Sequence, residues 1–266
     1  FLRCPRQYWF ERVLCLPRRT TSTSQVLGSA VHVALATYHR ALQAGQEITA
    51  ESVVAAYVKA WAEAADRVQI IATGGDPQGD VREQGIQLVG LYLAQPPPER
   101  IIAVERPMLT PLVNSHGEVL ETPLLAVPDL LTRDEDEALR VTELKTAARA
   151  FSDSEIELSL QPTCYAVATR ECLGYDPAVS YTVLVRTKTP KIQRMETVRT
   201  DADVGRLGDL VQHVERAVAA SAFYPVESPL NCSACPYRRH CRDTGPAERV
   251  AEVIPAPSDL VGAVPC

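Results

Sequence analysis

The chain has 266 residues, a formal net charge of −6 and eight cysteines. So few cysteines over this length exclude a secreted disulfide scaffold, and the sequence shows neither a signal peptide nor a transmembrane run, so reduced thiols and a cytoplasmic location are expected. The acidic balance argues against a basic surface spread over the whole chain. In chain order, the first segment carries Cys4-Pro-Arg-Gln-Tyr8 and a group of arginines, Arg3, Arg6, Arg12, Arg18 and Arg19. A helix is predicted over about 28–44, with an apolar stripe of Val31, Ala34, Leu35, Tyr38, Ala41 and Leu42 and a stop at Gly45. His32 lies at the edge of that stripe, and His39 shares its flank. Further helices are expected near 50–69 and 80–95, the latter ended by Pro96-Pro97-Pro98. Strands follow near 101–110, 122–132 and 139–146, then a helix over 153–173, strands near 179–187 and 191–199, and a helix over 202–221. This order predicts an α/β fold with a mixed central sheet flanked by helices, preceded by a helical portion.

The chemistry concentrates on Asp129 and on Glu143-Leu144-Lys145. Asp129 is placed on one strand and the carboxylate and lysine on the next, joined by a solvated acidic turn from Asp134 to Glu137. In an extended strand Glu143 and Lys145 share a face while Leu144 points into the core. Two carboxylates about 4 Å apart repel by roughly 4 kcal/mol at an effective dielectric near 20, so a cleft holding both takes a cation or protonates one. Hard oxygen ligands of this kind suit Mg²⁺ or Mn²⁺. The bland alternative is a surface hairpin with an ordinary Glu-x-Lys pair. Downstream, Ser152-Asp-Ser-Glu155 reads as a capping box opening a helix that carries Gln161 and Tyr165 on one face. Glu105, in the apolar run Ile101 to Val104 and beyond, is a candidate supporting acid.

Cys232-x2-Cys235-x5-Cys241 presents three thiolates near the end of the chain, with Cys4 the candidate fourth and His240 a lesser one. Spacing alone reads as structural zinc. Cys15, Cys164, Cys172 and Cys266 are read as free thiols. Tyr8, Trp9 and Tyr237 are either stacking platforms for single-stranded bases or a packed aromatic cluster. Arg238, Arg239 and Arg242, with Arg186, Lys188, Lys191, Arg194 and Arg199, add basic groups able to follow a phosphate backbone.

Taken together, these motifs resemble the PD-(D/E)XK nucleases. Pro128-Asp129 and Glu143-x-Lys145 match the signature that names the superfamily, Gln161-Pro-Thr-Cys-Tyr165 matches the Q-x-x-x-Y element of its RecB-like branch, and Gly28-Ser-Ala-Val-His32 matches that branch's helix-borne histidine. The split cysteine set is similar to that of the iron-sulfur members, which include the AddB nuclease domain and CRISPR-associated RecB-like exonucleases. The resemblance implies a restriction-endonuclease-like core and Mg²⁺ or Mn²⁺ held by His32, Asp129 and Glu143. It implies catalytic roles for Asp129, Glu143, Lys145, Gln161 and Tyr165, and a 4Fe-4S cluster on Cys4, Cys232, Cys235 and Cys241 in place of zinc. The implied activity is hydrolysis of DNA, as an exonuclease on single strands or ends, with a helicase or a CRISPR integrase as possible partner and no membrane. The alternative is a non-catalytic DNA-binding or scaffolding subunit. One domain is expected over 1–242: a helical portion at 26–98, a nuclease core at 99–222 and a cluster segment at 223–242 closing on 1–20. A loosely ordered tail is expected over 243–266.

Overall fold

The computed structural model describes residues 1–72, 78–98 and 100–243, so the expectation for the tail falls almost wholly outside the described residues. The chain opens with helix α1 (Pro5–Tyr8) and a π-helical turn (Trp9–Val13), followed by strand β1 (Thr20–Ser22). Helices α2 (Thr23–Gln43) and α3 (Ala50–Arg67), strand β2 (Gln69–Ile71) and helix α4 (Gln78–Leu93) follow. Strands β3 (Arg100–Val104), β4 (Met108–Thr110), β5 (Leu124–Ala126), β6 (Leu130–Arg133) and β7 (Leu139–Ala147) lead to helices α5 (Asp153–Glu157) and α6 (Gln161–Leu173). Strands β8 (Ala178–Val185) and β9 (Lys191–Thr197) then precede α7 (Asp201–Ala219) and the short helices α8 (Pro229–Cys232) and α9 (Arg238–Asp243).

Among the described residues the central sheet has the order β3-β6-β7-β8-β9, with β7 and β8 parallel and the other neighbours antiparallel. The parallel pair needs a crossover, and α5 and α6 supply it. Both faces of β7 and β8 are covered, so they read as nearly continuous buried runs. On one face Leu144 and Leu184 pack beneath α2, α3 and α4 with Val31, Leu35, Tyr57 and Leu88. On the other, Val141 and Val179 pack against Tyr165 and Ala168 of α6. This is the expected mixed α/β architecture.

Local chemistry explains where boundaries differ from expectation. Helix α2 begins at Thr23, not near Gly28, because Ser22 and Gln25 form a capping box, the Ser22 hydroxyl accepting from the Gln25 backbone at 3.2 Å. The run 101–110 is two strands, broken where Glu105 takes φ 47° ahead of Pro107. The run 122–132 is also two, broken at Val127-Pro128-Asp129, so Asp129 lies in the gap before β6 and not on a strand. The helix expected over 153–173 is likewise divided. The Ser152–Glu155 capping box opens only α5, while Gln161 starts α6, with Pro162 in the first turn where its missing N–H costs nothing. Arg199 seals the break, donating from Nη2 to the carbonyls of Ile156 at 2.8 Å, Glu157 at 3.2 Å and Ser159 at 3.3 Å.

His39 is fully buried on α2, its Nε2 2.9 Å from the Tyr92 hydroxyl. Burial pulls its pKa from 6.5 down to about 4, only partly opposed by the charge of Asp129. Between those values the unfolded chain binds more protons than the folded one, so stability contributed by neutral His39 is complete above pH 6.5 and falls as pH drops toward 4. The full difference corresponds to about 3 kcal/mol. Urea midpoints at pH 4.5 and 7.5 should therefore separate more for the wild type than for His39→Leu, and equal separations would refute the assignment.

Candidate active site and cysteine centre

β7 supplies the centre of the site. Its alternation turns Glu143 and Lys145 toward α6 and Leu144 toward α2. Leu130 pairs with Thr142, so Pro128 stands where the next partner of Leu144 would be and the regular ladder ends there. The Asp129 carboxylate takes its place, Oδ2 accepting from the Leu144 backbone N–H at 2.7 Å. Its other oxygen, Oδ1, lies 2.9 Å from His32 Nδ1, delivered from the opposite side by α2. Helix α2 passes β7 at Gly28, where a Cβ would make an ordinary contact, 3.4 Å from the Thr146 hydroxyl.

Glu143 is only 3% exposed and gathers three side-chain donors. Lys145 Nζ donates to Oε1 at 2.5 Å and Gln161 Nε2 to the same oxygen at 2.8 Å. The Tyr165 hydroxyl donates to Oε2 and accepts from Gln161 Nε2 at 2.6 Å. Although divided from the capping box, α6 still places Gln161 and Tyr165 one turn apart on the face toward Glu143. Burial and the nearby charge of Asp129 push the Glu143 pKa up, against the pull of Lys145 and Tyr165. At His32, burial disfavours the charged form, but the hydrogen bond and charge of Asp129, with the charge of Glu143, outweigh it and raise the pKa. Burial, then the charge of Glu143, raises the Tyr165 pKa, which keeps the phenol a donor. Two carboxylates, an imidazole and an ammonium thus meet as the sequence implied, at the end of the β6–β7 ladder.

Glu105 is close through its backbone, donating N–H to the Asp129 carbonyl at 3.1 Å. Its carboxylate instead pairs with Arg40 at 2.6 Å, so it supports the loop and does not face the carboxylate pair as a further ligand. That role had no clear sequence signal, because φ at Glu105 depends on tertiary pairing.

Cys4, Cys232, Cys235 and Cys241 line one cavity of about 480 Å³, with Arg6, Gln7, Phe10 and Glu227 in its wall. The first and last segments meet there: Arg6 N–H donates to the Tyr224 carbonyl at 3.1 Å, Asn231 Nδ2 to the Arg3 carbonyl at 3.2 Å, and the Tyr237 hydroxyl to the Leu16 carbonyl at 2.9 Å. Burial pushes the Cys235 and Cys241 thiols up, and the Arg6 guanidinium opposes this at Cys241. The Val226 backbone N–H lies 3.5 Å from Cys4 Sγ, and Arg6 Nε is buried without a partner. Four thiols facing one cavity, one of them already accepting a backbone N–H, form a donor set of the kind that holds a thiolate-ligated metal centre. Among the described residues, no three His, Cys, Asp or Glu side chains are drawn tightly enough to hold a single ion, here or at the carboxylate pair.

Packing decides between the two readings of the aromatic residues. Trp9 and Tyr237 are 5% and 4% exposed, packed with Phe10 and Phe223, so neither offers a ring face to a base. Tyr8 stacks on Phe223 at 6.4 Å. Arg199 seals the α5 end, and Arg18 pairs with Glu11 at 2.5 Å, so neither is a free phosphate contact. Cys164 and Cys172 are free thiols as read; Cys15 is not among the free thiols, and Cys266 lies outside the described residues.

Removing the Tyr165 hydroxyl tests the electrostatics directly. Since its hydrogen bond favours charged Glu143, Tyr165→Phe should raise the Glu143 titration further in metal-free protein, read by carboxyl carbon NMR. An unchanged titration would show that the bond does not hold the charge.

No curated protein matches the chain. Among solved structures, SSO0001 matches at 13% identity and a TM-score of 0.37, over 86% of this chain and 89% of that one. A structure from Eubacterium rectale, described as a candidate exonuclease, matches at 13% identity and a TM-score of 0.43, over 93% and 94%. The family profile of the PD-(D/E)XK nuclease superfamily matches residues 1–242, which takes in the sheet, the helices that cover it and the cysteine segment. No helix among the described residues is long and apolar enough to cross a membrane. The chain belongs to the PD-(D/E)XK nuclease superfamily, and its mixed sheet flanked by helices is the restriction-endonuclease-like fold.

Proposed function

We propose that the protein is a RecB-like, metal-dependent deoxyribonuclease, acting as an exonuclease on single strands or DNA ends, with a 4Fe-4S cluster of structural role. The observation that carries this reading is buried Glu143, raised in pKa beside Asp129 while Lys145, Gln161 and Tyr165 all donate to it. Such a group lacks only a cation to hold both carboxylates charged.

Mg²⁺ or Mn²⁺ would be held by Asp129, Glu143 and His32, and would supply a water of lowered pKa together with neutralisation of the scissile phosphate. His32 serves as a ligand only when neutral, so cation binding releases whatever proton it carries. Asp129 stays oriented by the Leu144 N–H, and Gln161 and Tyr165 fix the rotamer of Glu143. Lys145, now bonded to Glu143, would be free to reach the phosphate where a cation held Glu143 instead. There it orients the attacking water and stabilises the negative charge that grows as the phosphorus–oxygen bond to the leaving group breaks.

For the second centre, Cys4, Cys232, Cys235 and Cys241 line one cavity, and their split arrangement in the chain resembles that of the iron-sulfur members. We assign Cys4, Cys232, Cys235 and Cys241 to it, and propose that residues 1–242 work as one domain in the cytoplasm. DNA is the proposed partner, with a helicase or a CRISPR integrase as a second.

The test uses end-labelled single- and double-stranded DNA with Mg²⁺ or Mn²⁺ and anaerobically purified protein. Lys145→Ala and Glu143→Ala should each lose about 10²-fold or more in rate, the scale for removing one transition-state donor, with circular dichroism unchanged. Full activity in either variant would sink the catalytic assignment. Binding without cleavage by the wild type would favour the DNA-binding subunit instead.

A further inference from the structure

We infer that the cavity beneath the Pro96–Pro98 turn is a binding site for a phosphate monoester, taken by the Arg194 guanidinium together with the hydroxyls of Thr142 and Thr182. The site is separate from the Glu143 cluster, and occupying it requires no cleavage.

One face of the central sheet changes character along its length. Leu144, Leu184 and Ile192, on β7, β8 and β9, pack beneath α2, α3 and α4. Two residues along each strand, on the same face, stand Thr142, Thr182 and Arg194. Helix α4 ends at Leu93, and the segment from Gln95 to Pro98 overhangs these polar residues instead. The space between holds about 330 Å³. That lies at the lower end of the roughly 300–1,000 Å³ range of small-molecule sites.

Hydroxyls on a covered sheet face normally have hydrogen-bond partners. Thr142 and Thr182 are 9% and 7% exposed. Thr142 shares a hydrogen bond with Ser180 at 3.0 Å. Thr182, among the described residues, has no side-chain partner and lines the cavity, so its acceptor is what fills that space. Charge decides the kind of acceptor. Two arginines of the wall are already paired, Arg133 with Glu137 at 3.2 Å and Arg140 with Glu196, and the Asp134 carboxylate accepts the Ala138 N–H at 2.9 Å. Arg194 donates to Gln95 Oε1 at 3.3 Å and, among the described residues, meets no carboxylate. A guanidinium flanked by hydroxyls on two strands offers more donors than a carboxylate accepts, whereas a phosphate monoester presents three acceptor oxygens and up to two charges. Tyr92, Leu130 and the prolines form an apolar wall for its organic group.

The cavity adjoins the acidic site, since Leu130 in its wall directly follows Asp129. Burial, then the Tyr38 hydroxyl, raises the Tyr92 pKa; the Arg194 guanidinium opposes this and the Asp129 carboxylate adds to it, so Tyr92 stands within electrostatic reach of both. The same phosphate chemistry has two sources, a free nucleotide or the phosphorylated end of a DNA strand. Only the second rests on the nuclease reading.

The experiment uses the full chain with a metal chelator, which keeps phosphate from binding through a cation at Asp129 and Glu143. Calorimetry compares deoxyadenosine monophosphate with deoxyadenosine, and fluorescence anisotropy compares an oligonucleotide bearing a terminal phosphate with the same strand ending in hydroxyls. The proteins are wild type, Arg194→Met, Thr182→Val and, as a control on α7, Arg206→Met, which removes an arginine paired with Asp203. Arg194→Met should weaken the phosphate-bearing probe about tenfold, the scale of a lost charged hydrogen bond, and Thr182→Val several-fold. Arg206→Met should leave binding unchanged. A phosphate effect on the strand that disappears in Arg194→Met identifies the strand end as the source; an effect on the nucleotide alone identifies the free ligand. If neither probe separates phosphate from hydroxyl, or Arg194→Met binds no more weakly than Arg206→Met, the inference is overturned, whatever the cleavage assay shows. If Thr182→Val fails to fold, Arg194→Met, whose side chain is exposed, decides alone.

Discussion

The structure depends on a carboxylate kept almost out of water. Glu143 sits on the central strand with both sheet faces covered, beside a second carboxylate. A buried charge of this kind is tolerated only with hydrogen bonds or a counter-ion, and leaving it bare is among the most destabilising things a fold can do. Lys145, Gln161 and Tyr165 supply the donors, and their convergence on one side chain keeps Glu143 in a single orientation. Yet they do not neutralise Asp129, whose charge still pushes the Glu143 pKa up. The pair is therefore held in place without being neutralised, which is the state the proposed cation would relieve.

The rest of the architecture brings partners to that spot from both sides of one strand. Helix α2 crosses near Gly28 and lowers His32 onto Asp129, while α6, on the other face, turns Gln161 and Tyr165 onto Glu143. The same strand serves both because period-two alternation sends Leu144 to one core and Val141 to the other, leaving Glu143 among donors from α6. Asp129 belongs to neither face. It occupies the place where Pro128 ends the ladder, so a chain break that costs a backbone hydrogen bond provides the donor, Leu144 N–H, that fixes the acid.

Most of this site was legible in the sequence because its residues lie in short motifs with local geometry. Glu143 and Lys145 need only an extended strand to share a face, and Gln161 and Tyr165 only one helical turn. What the sequence concealed was set by tertiary contact. Asp129 reads as part of a long apolar strand until the antiparallel partner shows that Pro128 interrupts it, and Glu105 reads as a strand residue until its φ of 47° turns the chain. The split between α5 and α6 was announced by Pro162, but the device that makes it stable, Arg199, lies on the far side of two strands. Trp9 and Tyr237 carry the ambiguity of all aromatic residues, able to stack on a base or fill a core, and only packing against Phe10 and Phe223 decides for the core.

That aromatic cluster also explains how the cysteines come together. Cys4 and Cys232 are separated by nearly the whole described chain, and closing so long a loop carries an entropic cost that grows slowly with its length. Burial of Trp9, Phe10, Phe223 and Tyr237, with bonds to the backbone such as Tyr237 hydroxyl to Leu16 carbonyl, ties the two ends together. The centre proposed for the four thiols would add its binding energy to a closure the side chains have begun. The carboxylate pair and the cysteine cavity thus share one logic: hydrogen bonds and packing made by the chain itself bring residues far apart in sequence to one place.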